Sequence, residues 1–220
     1  MSSRGSIPPV EVLEIDTPFG TAKAHLQSVG EAKAALVLGH GAGGGVTARD
    51  LVAASRAGRS LGLSVVFVEQ PYRVAGRRAP APARQLDAAW TAVIDQLLAR
   101  DLHGIALVVG GRSSGARVAC RTAEETGAVG LLCLAFPLQP PRRTGAAPAP
   151  SRLPELDAVT VPTLVVQGAR DQFGIPPAGE QRTVVTVTGD HSLRSDLASI
   201  EDAVRAWLPR VVVVAQASKE

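Results

Sequence analysis

Aromatic residues are the scarcest feature of this 220-residue chain: four Phe, two Trp and one Tyr, 3% in all. Binders of single-stranded nucleic acid stack bases on aromatic side chains, so that class is excluded. Lysine is almost missing too. The net charge of +3 and the pI of about 9.3 come from arginines dispersed along the chain, with no basic block to suit a duplex. There are two cysteines, Cys120 in a predicted helix and Cys133 in a predicted buried strand. Without C-x-x-C or other metal-ligand spacing, they read as small core residues of a reduced protein, and neither metal nor cofactor is expected. Long apolar runs are missing as well. The longest, around residues 128–136 and 211–215, fall well short of the ~18–20 residues a membrane span requires. Residues 1–9 contain no apolar core of a signal peptide. The expectation is a cytoplasmic protein with no membrane or nucleic-acid partner, its oligomeric state open.

What is present suits a folded globular chain: 45% hydrophobic and 20% charged residues. The length fits one domain over 1–220, with 1–9 and about 210–220 candidates for flexibility. Residues 10–16 and 21–27 alternate apolar with polar around a Thr17-Pro18-Phe19-Gly20 turn, which predicts an antiparallel hairpin. Short strands follow at 34–38, 63–68, 105–109, 129–136, 162–167 and 183–187, those at 34–38, 105–109 and 129–136 continuously apolar and the others mostly so. Helical spacing lies between them at 47–61, 83–100 and from the serine turn through 126. A last helix at 197–208 ends before Pro209, and the tail beyond is either a helical extension or an added strand. Residues 137–160 form a Pro/Ala-rich loop with no long apolar helical face. Apolar strands alternating with helices predict an α/β fold: a mostly parallel, doubly wound sheet with helices on both faces.

The chain is organised around residues 104–120. An apolar strand there runs into Gly111-Arg112-Ser113-Ser114-Gly115 and directly on into a helix. In this G-x-S-x-G elbow a serine on a strained strand-to-helix turn is exposed as a nucleophile, and glycines flank it so that strand and helix pack closely. The plainer reading of Ser113 is an N-cap for the following helix.

Functional groups in such a sheet gather beyond the carboxyl ends of the strands. Strand 34–38 delivers His40-Gly41-Ala42-Gly43, strand 105–109 delivers Ser113, strand 162–167 delivers Asp171, and strand 183–187 delivers His191. Nucleophile, acid and histidine then follow in the order this architecture uses. A serine hydroxyl needs an adjacent imidazole to take its proton, and that imidazole needs an acid to hold its tautomer. The backbone N–H groups of Ala42 and Ser114 are the candidate oxyanion hole. Asp171 also reads as a turn residue and His191 as a loop histidine, with Asp190 bracing the loop. His40 reads as structural, and Glu69 either enters the pocket or ends its strand in solvent.

These motifs resemble the α/β-hydrolase superfamily over nearly the whole length of the chain. Leu38-Gly39-His40-Gly41-Ala42-Gly43, Phe67-Val68-Glu69-Gln70-Pro71-Tyr72, Gly110-Gly111-Arg112-Ser113-Ser114-Gly115-Ala116-Arg117 and Gly189-Asp190-His191-Ser192 are similar to a small, lidless branch. That branch is related to dienelactone hydrolases and to the hydrolase-like domains of a testis-expressed protein and a non-specific-lethal complex subunit. The resemblance implies an α/β-hydrolase fold with minimal or no cap. It also implies Ser113 as nucleophile, His191 as base and Asp171 as orienting acid. Dienelactone hydrolases carry cysteine at the position of Ser113, so their substrate does not transfer.

The short 137–160 segment predicts an open site. Tyr72, Arg73, Arg112, Phe136 and Phe173 lie at or beyond strand ends and are candidates for its walls. Arg73, Arg77, Arg78, Arg142 and Arg143 predict a preference for acyl groups that carry an anion, unless they are ordinary surface charge. The leading expectation is hydrolysis of an ester or thioester of a small acyl substrate. Acyl transfer or ring closure by the same residues is the alternative, as is an idle site in a binding or scaffold module.

Overall fold

The computed structural model describes residues 10–140 and 149–217. The predicted hairpin forms from β1 (Glu11–Thr17) and β2 (Gly20–Gln27), antiparallel partners in register from Glu11↔Leu26 to Thr17↔Gly20. Six further strands follow: β3 (Ala34–Gly39), β4 (Ser64–Glu69), β5 (Ala106–Arg112), β6 (Gly130–Leu134), β7 (Thr163–Gly168) and β8 (Arg182–Val187). They assemble in the order β1-β2-β4-β3-β5-β6-β7-β8, antiparallel at β1/β2 and β2/β4 and parallel everywhere else. From β3 the chain steps outward to β4, and from β5 it steps the other way. The switch point of the sheet therefore lies between β3 and β5, where a crevice opens.

Two apolar layers explain why the central strands are apolar on both faces. On one face α3 (Ala83–Ala99) buries Leu86, Trp90, Val93, Ile94 and Leu97, and α4 (Ser114–Thr122) buries Ala116, Val118, Ala119 and Cys120. On the other, α1 (Arg49–Ser60) buries Leu51, Ala54 and Ala57 beside the inner residues of α6 (Leu197–Ala217). Cys120 and Cys133 are free and buried, with sulfurs 3.6 Å apart. No helix among the described residues is long and apolar enough to cross a membrane.

Three boundaries differ from the sequence reading. The 137–160 segment is not all loop, because α5 (Leu153–Asp157) lies in it and buries Leu156. A short α2 (Pro71–Val74) follows β4 with proline at its start, where the missing N–H costs nothing. Pro209 does not end the last helix: of the two readings of the tail, the helical extension is the one that forms, to Ala217. An interior proline costs about 3 kcal/mol, but Trp207 and Leu208 before it and Val211 and Val212 after it are all buried. Each buried valine contributes about 1.5 kcal/mol or more, enough to carry the helix past the proline.

Candidate active site

The elbow is built by close approach. β5 runs three residues beyond its apolar stretch, to Arg112, pairing Gly111 with Gly39 of β3 and with Cys133 of β6. A Cβ on Gly111 would lie 2.6 Å from the Gly39 carbonyl oxygen, and one on Gly115 would collide with the same peptide. The two glycines of the motif are thus the contact between the elbow and the strand that carries the opposite wall. Ser113, between them, has φ 52° and ψ −106°. A left-handed conformation is costly for a serine, and it is held by the Ser113 N–H donating to Leu134 O at 2.9 Å. The side chain does not cap α4.

Three residues more than a dozen positions apart converge on this turn. His191 Nε2 lies 3.0 Å from Ser113 Oγ, and His191 Nδ1 lies 2.8 Å from Asp171 Oδ2. The Asp171 side chain is fully buried and that of His191 is 18% exposed, so the imidazole edge facing Asp171 is dry and the edge facing Ser113 is open. Asp171 Oδ1 accepts the Phe173 N–H at 2.9 Å. The Phe173 ring packs edge-on against the imidazole, centroids 4.4 Å apart. Asp190 takes no part in this chain: it accepts from the N–H and hydroxyl of Ser192, and these bonds hold its carboxyl below the usual range. It braces the loop, as expected.

The opposite wall is the turn after β3. Among the described residues no acceptor takes the N–H of Ala42, in that turn, or of Ser114, directly after the nucleophile. Tyr72 donates its hydroxyl to Ala42 O at 3.2 Å and is otherwise buried, which makes it a brace for that loop and not a wall facing substrate. His40 is buried, with Nδ1 2.8 Å from Gly41 O and Nε2 accepting the Gln70 N–H at 3.1 Å. The Gln70 bond requires a bare Nε2, so the proton sits on Nδ1 and donates to Gly41. Burial pushes the imidazole below its ordinary pKa, the Gly41 and Glu69 contacts opposing the shift.

The remaining wall candidates separate. Phe136 is completely buried and is not a wall: Ala135, at φ 49°, turns the chain inward directly after β6. Phe173 stays, against the base. Arg73 is half-buried near His40, and Arg77 lines a separate cavity of about 380 Å³ beside Phe19 and Gln85. Arg142 and Arg143 lie outside the described residues. Arg112 is tied down. Its Nε sits 3.1 Å from Asp50 Oδ2, a charge contact without hydrogen-bond alignment, and its Nη2 donates to His191 O at 3.0 Å. Burial pushes the Asp50 carboxyl up, and the Arg112 charge pulls it partly back.

Two supporting residues escaped sequence reasoning. Gln167, fully buried near the end of β7, has Nε2 2.8 Å from Asp171 Oδ2, 2.9 Å from Gly174 O and 3.0 Å from Phe136 O, so its two N–H hydrogens are shared among three acceptors. A glutamine inside an otherwise apolar strand was the available signal, since a buried amide needs partners. Asp50, at the start of α1, is the other, and nothing local marks it out. Among the described residues no cluster of His, Cys, Asp and Glu could hold a metal ion.

Fold and site together define the class. The chain belongs to the alpha/beta hydrolase domain family, whose pattern matches residues 32–214. Among curated protein sequences none is significantly similar. Among solved structures it is similar to XC6422 from Xanthomonas campestris, an α/β serine hydrolase without lid, at 21% identity over 92% of this chain and 94% of that one, with a TM-score of 0.70. Est1E from Butyrivibrio proteoclasticus matches at 17% identity over 92% and 99%, TM-score 0.73. A dienelactone hydrolase from Anabaena variabilis matches at 14% over 93% and 99%, TM-score 0.73. The fold is that of the lidless α/β hydrolases.

Proposed function

We propose that the protein is a serine hydrolase that cleaves an ester or thioester of a small acyl substrate through an acyl-enzyme on Ser113. The observation that carries this reading is the unbroken relay Asp171–His191–Ser113, at 2.8 and 3.0 Å, on a serine held at positive φ. Ser113 Oγ attacks the acyl carbon while His191 Nε2 takes its proton. The negative charge on the carbonyl oxygen is met by the N–H groups of Ala42 and Ser114, the latter opening α4 so that the helix dipole adds to it. Collapse releases the alcohol or thiol, protonated by His191. Water, activated by the same imidazole, then frees the acid. Asp171 accepts from Nδ1–H and so holds that tautomer throughout.

The test is turnover of a panel of short acyl esters and thioesters by the wild type and Ser113→Ala. Loss of several orders of magnitude in kcat for the variant supports the reading. Equal turnover by the two proteins would remove it.

A further inference from the structure

A cavity of about 560 Å³ beside the elbow is lined by residues that include Gly43–Gly45, Arg49, Asp50, Arg112, Ser192 and Arg194. Its position is fixed by chain continuity. Gly43 follows Ala42, Arg112 precedes Ser113, and Ser192 follows His191. A group seated there is flanked by residues adjoining the nucleophile, the base and the oxyanion loop, as an extension of the substrate would be.

Its charge is one-sided. Three guanidinium groups face one carboxylate, and that carboxylate, Asp50, is buried and committed to Arg112. Arg49 and Arg194 have no acidic partner among the described residues. Arg112 spends Nε on Asp50 and Nη2 on the His191 carbonyl, which leaves Nη1, beside Gly41, with no partner among the described residues. The loop bearing Arg194 is also stiff: Leu193 is fully buried at φ 49°, and Asp190 holds Ser192 through two hydrogen bonds. On the other side Ala48–Asp50, the start of α1, has no side-chain cap. Planar guanidinium groups with free N–H edges bind oxyanions by paired hydrogen bonds.

We infer that this cavity is a subsite for an oxyanion, a carboxylate or phosphate, carried by the substrate and held by Arg49 and Arg194 with Arg112 behind them. The inference rests on the acyl-enzyme reading above and adds a substrate class to it. The anion can sit on either side of the scissile bond, in the acyl group or in the leaving group.

Two matched pairs at low ionic strength test it. 4-Nitrophenyl hexanoate against mono-4-nitrophenyl adipate places a carboxylate on the acyl side. The butyryl thioester of N-acetylcysteamine against that of phosphopantetheine places a phosphate on the leaving side. In at least one pair the anionic member should be favoured about tenfold or more in kcat/KM, and added salt should erode the preference. In Arg49→Gln/Arg194→Gln the ratio should fall to within about twofold. Taking the ratio within a pair cancels any common loss of active protein. The responding pair identifies which side carries the anion. A wild-type ratio near one in both pairs, or a preference untouched by the double substitution, overturns the subsite and leaves the hydrolase reading standing. Failure to turn over any of the four compounds would remove the hydrolase reading, and the subsite with it.

Discussion

Arg112 donates from Nη2 to the backbone carbonyl of His191 at 3.0 Å, so the residue before the nucleophile holds the loop that carries the base. The same guanidinium faces Asp50 at the start of α1. One side chain thereby links the elbow, the histidine loop and the wall opposite.

Removing that link separates stability from activity. Arg112→Met leaves Asp50 buried and unpaired, which should destabilise the fold by about 3–5 kcal/mol. Arg112→Met/Asp50→Leu should recover most of that loss, because the uncompensated charge is gone. Neither protein retains the tie to His191 O, so kcat should stay low in both. Urea unfolding read alongside ester turnover checks this, and full recovery of kcat in the double variant would contradict it.

Tyr72→Phe deletes only the hydroxyl on Ala42 O. A net hydrogen bond contributes about 0.5–1.5 kcal/mol, so kcat should fall roughly twofold to tenfold through a looser oxyanion loop. KM for a neutral ester should not change. A rise in KM at constant kcat would return Tyr72 to the substrate wall.

Gln167→Leu removes the amide that steadies Asp171. Hydrogen bonds to charged groups contribute about 1.5–3 kcal/mol, which corresponds to roughly tenfold to a hundredfold in kcat if the bond serves the relay. Steady-state kinetics on protein shown to be folded by its near-ultraviolet dichroism is the check. Wild-type kcat would make Gln167 a packing residue only.

His40 predicts an acid limit on stability. Burial holds its folded-state pKa below the ordinary value of about 6.5, so above that pH its contribution is complete. As pH falls below about 6.5 the unfolded chain takes up the proton first, and stability declines until the lower folded value is passed. The urea midpoint of His40→Asn, subtracted from that of the wild type at each pH, should therefore shrink as the solution is acidified. A difference constant with pH would mean that His40 is not held neutral by the fold.

Much of this arrangement was legible because it is written locally. The elbow spacing, the two-faced apolar strands and the order of Ser113, Asp171 and His191 each depend on residues within one turn or one strand end. The structure brings those three side chains into one hydrogen-bonded line. What stayed hidden depends on contacts between distant segments. Asp50 meets Arg112 across 62 positions (112 − 50), and Gln167 is distinguished only by being buried beside Asp171. The burial of Phe136 is equally hidden, because it follows a positive φ at Ala135 that no property of alanine announces. Pro209 was read as a stop because its local cost is visible in sequence, whereas the burial of Val211 and Val212 that offsets it is not.

The central claim is that Ser113 is the nucleophile. Its most direct test is intact-mass and peptide mass spectrometry after treatment with a neutral fluorophosphonate. The account predicts one adduct, located on Ser113, formed by the wild type and absent from Ser113→Ala. An adduct on Ser114, or unmodified wild-type protein that still hydrolyses esters, would contradict it.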